Sequence, residues 1–284
     1  MDILEKLYQM TAFGDLIAQP SIVFMLALAF GLLYLGIKKQ YEPLLLVPIG
    51  FGLLIANFPG GGMSVIPAID SDAPILHATV IELAKDYGIW FVAGSLPLKC
   101  ASENKFTASC LLINDQGETV TEYQKIHLFD VQVADNTGSY LESRCTQAGN
   151  KLVVVDTPFG KLGLAVCYDI RFAGMFVAMS QVAQLDVLAL PAAFTQKTGE
   201  SHWHALLKAR AIENQAYLVA SNIVGQDGNG IQYQGDSSAI DFRGHRLATS
   251  QRDEIIHITL DKDSLDQFKF QKPFWKDKDD FKLI

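Results

Sequence analysis

The stretch 161–172, KLGLAVCYDIRF, constrains this chain more than any other. Leu162, Leu164, Ala165 and Val166 make an apolar run of the kind found in strands buried on both faces. The run ends on Cys167 and passes at once into Asp169 and Arg171. In open α/β sheets ligands collect beyond the carboxyl ends of strands. A thiol at such a place is either a nucleophile or a small buried hydrophobe, and the strand alone leaves both readings open.

Charge is spread unevenly over the 284 residues, and this divides the chain. Residues 21–37 carry no charge; Lys38 and Lys39 follow, and after Glu42 none appears until Asp70. The first run has the length of a short membrane-spanning helix. Asp2, Glu5 and Asp15 ahead of it do not fit a secretory signal. The second run, 43–56, is interrupted by Pro48, Gly50 and Gly52. It reads as a broken span, a re-entrant piece or a buried core segment. One or two membrane-type helices are therefore expected within residues 1–69, with membrane contact through 21–56, ahead of a domain over 70–284. With only the first run spanning, Lys38 and Lys39 keep that domain in the cytoplasm, which is the favoured topology; two spans would place it outside. Asp+Glu number 31 against 23 Lys+Arg, with no basic patch, which argues against a nucleic-acid partner. The four cysteines lack CxxC pairing and His202 and His204 lack zinc spacing, so reduced thiols and no metal site are expected.

Residues 38–63, KKQYEPLLLVPIGFGLLIANFPGGGM, resemble the start of the β subunit of sodium-pumping, biotin-dependent decarboxylases, which act on oxaloacetate, methylmalonyl-CoA or glutaconyl-CoA. The run YEPLLLVP is the specific part of that likeness. The later helices of that family, with their ion-binding carboxylates, have no counterpart here, so no pump is implied. Gly60, Gly61 and Gly62 form a connector and not a phosphate loop, since no Lys-Ser/Thr follows.

From Asp70 onward the pattern alternates. Asp72 is placed to cap a helix with Leu76, Val80, Leu83, Ala84 and Tyr87 on one stripe, ended by Gly88. Strands are predicted over 89–96, 107–114, 119–125, 152–156, 162–167, 186–190, 217–222, 237–241 and 255–260, and a helix over 201–215. Asp227-Gly228-Asn229-Gly230 reads as a turn. Apolar strands alternating with helices predict a layered α/β domain.

The chemistry-bearing residues are Lys125 in YQKIHLFD, Glu142 in YLES and Cys167 in VCYDIRF. These motifs resemble the nitrilase superfamily of carbon–nitrogen hydrolases, in its amidase branches, over about residues 70–284. The resemblance implies an αββα sandwich and a Glu–Lys–Cys triad without metal or organic cofactor. Cys167 would be the nucleophile and Lys125 the cation facing the tetrahedral intermediate, while Glu142 matches the family's accessory glutamate. The N–H of Tyr168 is an added oxyanion donor, and Arg171, Phe194 and Thr195 are further oxyanion or substrate-binding candidates. The physical logic agrees: an amide needs a strong nucleophile, and a nearby ammonium both lowers a thiol's pKa and later faces the oxyanion.

Three departures accompany the likeness. The family's catalytic base, a glutamate in a Pro-Glu motif after an early strand, has no counterpart, because the decarboxylase-like segment occupies that part of the chain. Glu5 and Glu42 do not follow buried strands. The sandwich is thus expected to be N-terminally incomplete, with an exposed strand edge. Ala173-Gly174 stands where these branches carry Pro-Glu, and a seam is expected near Ala220: upstream runs resemble deaminated glutathione amidases, whereas NIVGQDGNGIQYQGDSSAIDFRG resembles ω-amidases. His127 reads as a packed, hydrogen-bonded histidine and Glu213 as a structural partner of Arg210. The expectation is an amidase-like mosaic acting on a small carboxylate-bearing amide through a cysteine thioester, impaired by the missing base, with homodimerisation carried by the resemblance alone. The competing reading is a non-catalytic, membrane-associated or composite chain.

Overall fold

A computed structural model of the protein describes residues 75–274 apart from 103, 133–138, 228–229 and 253, all within the second of the chain's two units, Ala68–Ile284. The expected membrane runs, Glu5, Glu42 and Asp72 lie outside the described residues. Among the described residues no helix is long and apolar enough to cross a membrane.

The first helix, α1 (Ile75–Tyr87), stops where Gly88 turns into the left-handed region, φ 59°. Its apolar stripe is not the one predicted. Val80, Ile81 and Ala84 face the protein, whereas Leu83 and Tyr87 are 38% and 72% exposed. Among the described residues one sheet packs against this side of the helix, where Ala84 is small and fully buried.

That sheet is the antiparallel set β1 (Phe91–Lys99), β2 (Phe106–Ile113) and β3 (Thr119–Gln124), in the order β1-β2-β3. Residues 107–113 of β2 are all buried because both faces are covered. Leu111 and Ile113 pack with Ala84 under α1, whereas Cys110 and Leu112 join the larger core behind. Period-two alternation thus sends one strand's side chains into two separate layers. A short antiparallel ribbon of β4 (Asp130–Gln132) and β5 (Ser139–Leu141) follows β3.

The larger core is shared with a six-stranded sheet. Its strands are β6 (Val154–Thr157), β7 (Gly160–Leu164), β8 (Val187–Ala189), β9 (Tyr217–Ala220), β12 (Ser237–Ile240) and β13 (Arg246–Ser250). They lie in the order β13-β12-β9-β8-β7-β6. Only β7-β8 and β8-β9 pair in parallel, and these are the strands linked by helical crossovers α2 (Ala173–Val182) and α3 (Gln196–Asn214). Met179 and Phe176 of α2 and Trp203 and Leu207 of α3 complete the core with Leu164, Leu188 and Leu218. Burying each such leucine contributes about 1.5–3 kcal/mol relative to leaving it exposed. The layers therefore run helix, sheet, sheet, helices, which is the αββα sandwich. Ala220 closes β9 in the middle of this sheet, so both sides of the expected seam share one hydrogen-bonded framework.

Some elements differ from expectation. Residues 255–260 form no strand: Ile256, Ile258 and Leu260 alternate inward, but the segment enters no ladder among the described residues. The sixth strand is instead β13, followed by α4 (Lys262–Gln271), whose Asp261 caps Ser264 N–H at 2.9 Å. Buried Lys269 ties α4 to the sheet through Leu185 O (2.6 Å) and Asp186 Oδ1 (2.8 Å). Helix α3 begins at Gln196, ahead of its predicted start at Ser201. The expected turn at Asp227 is a hairpin, with β10 (Val224–Gln226) paired to β11 (Gln232–Gln234) and Gly230 N–H donating to Asp227 O at 3.0 Å.

Candidate active site

Strand β7 ends at Leu164, and the chain enters a 3-10 turn at Cys167–Arg171. Cys167 is therefore the first residue of a turn and not the last of a strand. Its backbone is left-handed, φ 49°, a conformation that costs a side-chain-bearing residue of order 1–3 kcal/mol and persists only when its surroundings impose it. Here Cys167 N–H donates to Pro191 O at 2.9 Å, and Arg210 Nε holds Ile170 O at 2.9 Å from α3. The half-buried cysteine is displayed beyond the carboxyl ends of β7 and β8, as the opening strand pattern requires. The Ala173-Gly174 departure leaves the adjoining loop regular: α2 starts directly at Ala173.

Lys125 follows β3 and is pinned on both backbone groups, its N–H to Ala108 O at 2.9 Å and its carbonyl to Gly149 N–H at 2.8 Å. The residue is 4% exposed, and Nζ donates to Glu142 Oε2 at 2.5 Å. Glu142 opens the 3-10 turn Glu142–Arg144 and also receives Phe129 N–H at 2.6 Å on the same oxygen. Gly149 approaches the Gln124 carbonyl so closely that an added Cβ would clash with that oxygen. Gly149→Ala is expected to push the Lys125 backbone and cost about 1–3 kcal/mol, read as a lower urea midpoint. An unchanged midpoint would show that this loop is free to move.

The Cys167 thiol is pushed up chiefly by burial. Lys125 is the largest opposing influence, followed by the N–H of Ala193, while Glu142 and Asp169 push the thiol further up. Burial thus disfavours the thiolate, and the Lys125 charge is the strongest influence in its favour. The three motif residues are thus brought together electrically around one sulfur.

The other candidates scatter. Arg171 lies over the rings of Tyr168 (5.7 Å) and Phe194 (5.2 Å) and meets His202 Nδ1 at 3.1 Å. Desolvation holds its guanidinium pKa below the usual value. Tyr168 also packs edge-on against Phe129 and Phe172. Phe194 is buried against Trp203, and its N–H donates to Asn222 Oδ1 at 2.9 Å. Thr195 turns its hydroxyl to Thr198 at 3.0 Å, within the first turn of α3. Phe194 and Thr195 are thus taken up by buried structural contacts, and Arg171 rests on the rings of Tyr168 and Phe194. Glu213 pairs with Arg210 at 2.8 Å. Sequence reasoning missed Ala193 and Asp169; the latter is 0% exposed although its place two residues before Arg171 reads as an exposed charged turn.

The carbon-nitrogen hydrolase profile matches residues 67–270, and that of the Na+-transporting oxaloacetate decarboxylase beta subunit matches residues 10–103, which makes the chain the mosaic its sequence suggests. A deaminated glutathione amidase of Yersinia enterocolitica is 45% identical over 61% of this chain and 60% of its own length. The chain thus spans less than two thirds of that relative. An omega-amidase of Mus musculus is 32% identical over 69% of this chain and 70% of its own. The solved structure of the C. elegans NitFhit protein superposes with a TM-score of 0.68 at 32% identity, covering 77% of this chain and 52% of that one. With the sandwich and the profile match over 67–270 in agreement, the chain belongs to the carbon–nitrogen hydrolase family.

Proposed function

We propose that residues 70–284 act as an amidase on a small carboxylate-bearing amide, of the deaminated glutathione or α-keto-acid amide type, through a Cys167 thioester. The observation that carries this reading is the ion pair of buried Lys125 with half-buried Glu142, both acting on the sulfur of a cysteine held in left-handed backbone. The names of the Yersinia and mouse relatives support the substrate class. Arg171 supports it too: its guanidinium is braced by two rings, and among the described residues no carboxylate pairs with it.

In this reading the sulfur attacks the amide carbon, and Lys125 with the N–H of Tyr168 faces the oxyanion. The C–N bond breaks, and the proton released by the thiol leaves on ammonia. Water then opens the thioester to the carboxylic acid, and the proton it gives up ends on the departing Cys167 sulfur, which restores the thiol. The two steps differ in what they need. The first moves a proton off a thiol that Lys125 makes more acidic, whereas the second must take one from a neutral water before the sulfur has left to receive it. Among the described residues, the carboxylates that act on the sulfur are already engaged: Glu142 by Lys125 and Phe129 N–H, Asp169 by Tyr123, Val166 and His127. Thioester hydrolysis is therefore the slow step.

The test is rapid-mixing measurement of ammonia from α-ketoglutaramate. A burst near one equivalent of enzyme, then slow turnover, is the expected result. Absence of ammonia in both phases would favour the non-catalytic reading, and fast turnover without a burst would mean that a base is supplied. Glu5→Gln and Glu42→Gln are expected to leave the slow phase unchanged; its loss in either variant would identify that base.

A further inference from the structure

The nucleophile turn and the lysine segment are separate in sequence, and one buried carboxylate joins them. Asp169 Oδ2 accepts Tyr123 O–H at 2.7 Å and Val166 N–H at 2.9 Å. Its Oδ1 accepts His127 N–H at 3.0 Å and faces His127 Nδ1 at 2.9 Å. Tyr123 and His127 flank Lys125 at two residues on either side, and Val166 immediately precedes Cys167. The Asp169 N–H returns to Val166 O at 3.1 Å, so the carboxylate sits on the same turn it fastens. His127 is further stacked on Phe172, ring centroids 3.6 Å apart and planes 7° from parallel.

We propose that Asp169 is a positioning residue: its carboxylate clamps the Tyr123–His127 segment onto the Cys167 turn and so presents the Lys125 ammonium to the Cys167 sulfur. The inference rests on Lys125 serving Cys167, as in the function proposed above, but not on amide hydrolysis taking place. A neutral, isosteric amide cannot do the same work. The asparagine side chain would keep one acceptor oxygen and turn an NH₂ toward donors that need an acceptor.

The charge of Asp169 itself works against thiolate formation, which makes the two possible roles opposite in sign. If Asp169 acts only through its field, Asp169→Asn eases ionisation of Cys167. If it positions Lys125, the same change makes ionisation harder. The charged and titratable groups that act on the sulfur are Lys125, Glu142, Asp169, Arg171 and Tyr233, and only Asp169 changes in this experiment.

The measurement is the pH profile of Cys167 alkylation by iodoacetamide, read on the Cys167 peptide by mass spectrometry so that Cys100, Cys110 and Cys145 do not interfere. For Asp169→Asn the midpoint is expected to move to higher pH, with a rate at neutral pH about tenfold lower. In a Lys125→Met background the same substitution should produce no upward move, since the lysine it positions is gone. Tyr123→Phe removes one clamp bond and keeps the ring; it should shift the midpoint the same way by less, and it decides the matter if Asp169→Asn does not fold. A midpoint that falls or stays while Lys125 is present would overturn the proposal, as would an upward move that persists without it. Because alkylation needs no turnover, a missing ammonia signal would sink the proposed function without touching this result.

Discussion

Cys167→Ala is expected to abolish ammonia release, lowering both burst and steady phases by about 10⁴-fold or more, as loss of a nucleophile does elsewhere. The substitution removes the one atom that can form the thioester and little else. Alanine accepts the same left-handed backbone at a strain similar to that of cysteine, and the bonds from Cys167 N–H to Pro191 and from Arg210 to Ile170 are untouched. The Ala193 N–H, which faces the sulfur, gives up that acceptor. The unfolding midpoint should therefore move by no more than a typical benign substitution, about 0.5 kcal/mol. Ammonia release that survives in this variant would sink the thioester mechanism, because no other group then has the same place in the fold.

The layering was legible because period and apolarity speak for themselves: residues 107–114 and 162–167 read as strands, and β2 and β7 there lie at the centre of the sandwich. Cys167, Lys125 and Glu142 were singled out by short motifs, and the fold places a Lys125–Glu142 ion pair whose charges reach Cys167. What the sequence hid was direction. Leu83 and Tyr87 fit a helical stripe as well as Ile81 does, and only the position of β1 and β2 decides which side is covered. Residues 255–260 alternate as a strand does, yet a strand also needs a partner edge, and β13 takes that place on β12. Asp169 was hidden for a similar reason. A carboxylate between Tyr168 and Arg171 reads as solvated, and its burial is tolerated only because four donors converge on it from two distant segments.

Lys125→Met is expected to lower ammonia release by about 10²–10³-fold, the usual loss on removing a charge-stabilising donor from an acyl-transfer site. Two effects add. The thiol loses the strongest influence favouring its ionisation, and in the proposed mechanism the oxyanion loses its facing cation. Stability should respond less, because the Glu142 side chain is 23% exposed, keeps the Phe129 N–H and can be hydrated. The opposite truncation behaves differently. Glu142→Ala strands an ammonium whose side chain is 5% exposed, and breaking a buried pair from that side costs about 3–5 kcal/mol. The double variant should therefore be more stable than Glu142→Ala alone, since the buried charge that lost its partner is gone as well. Urea unfolding of the two single variants and the double variant measures this coupling. If Glu142→Ala were no less stable than Lys125→Met, the lysine would have to find water or another partner, and its ammonium would not be held where the sulfur needs it.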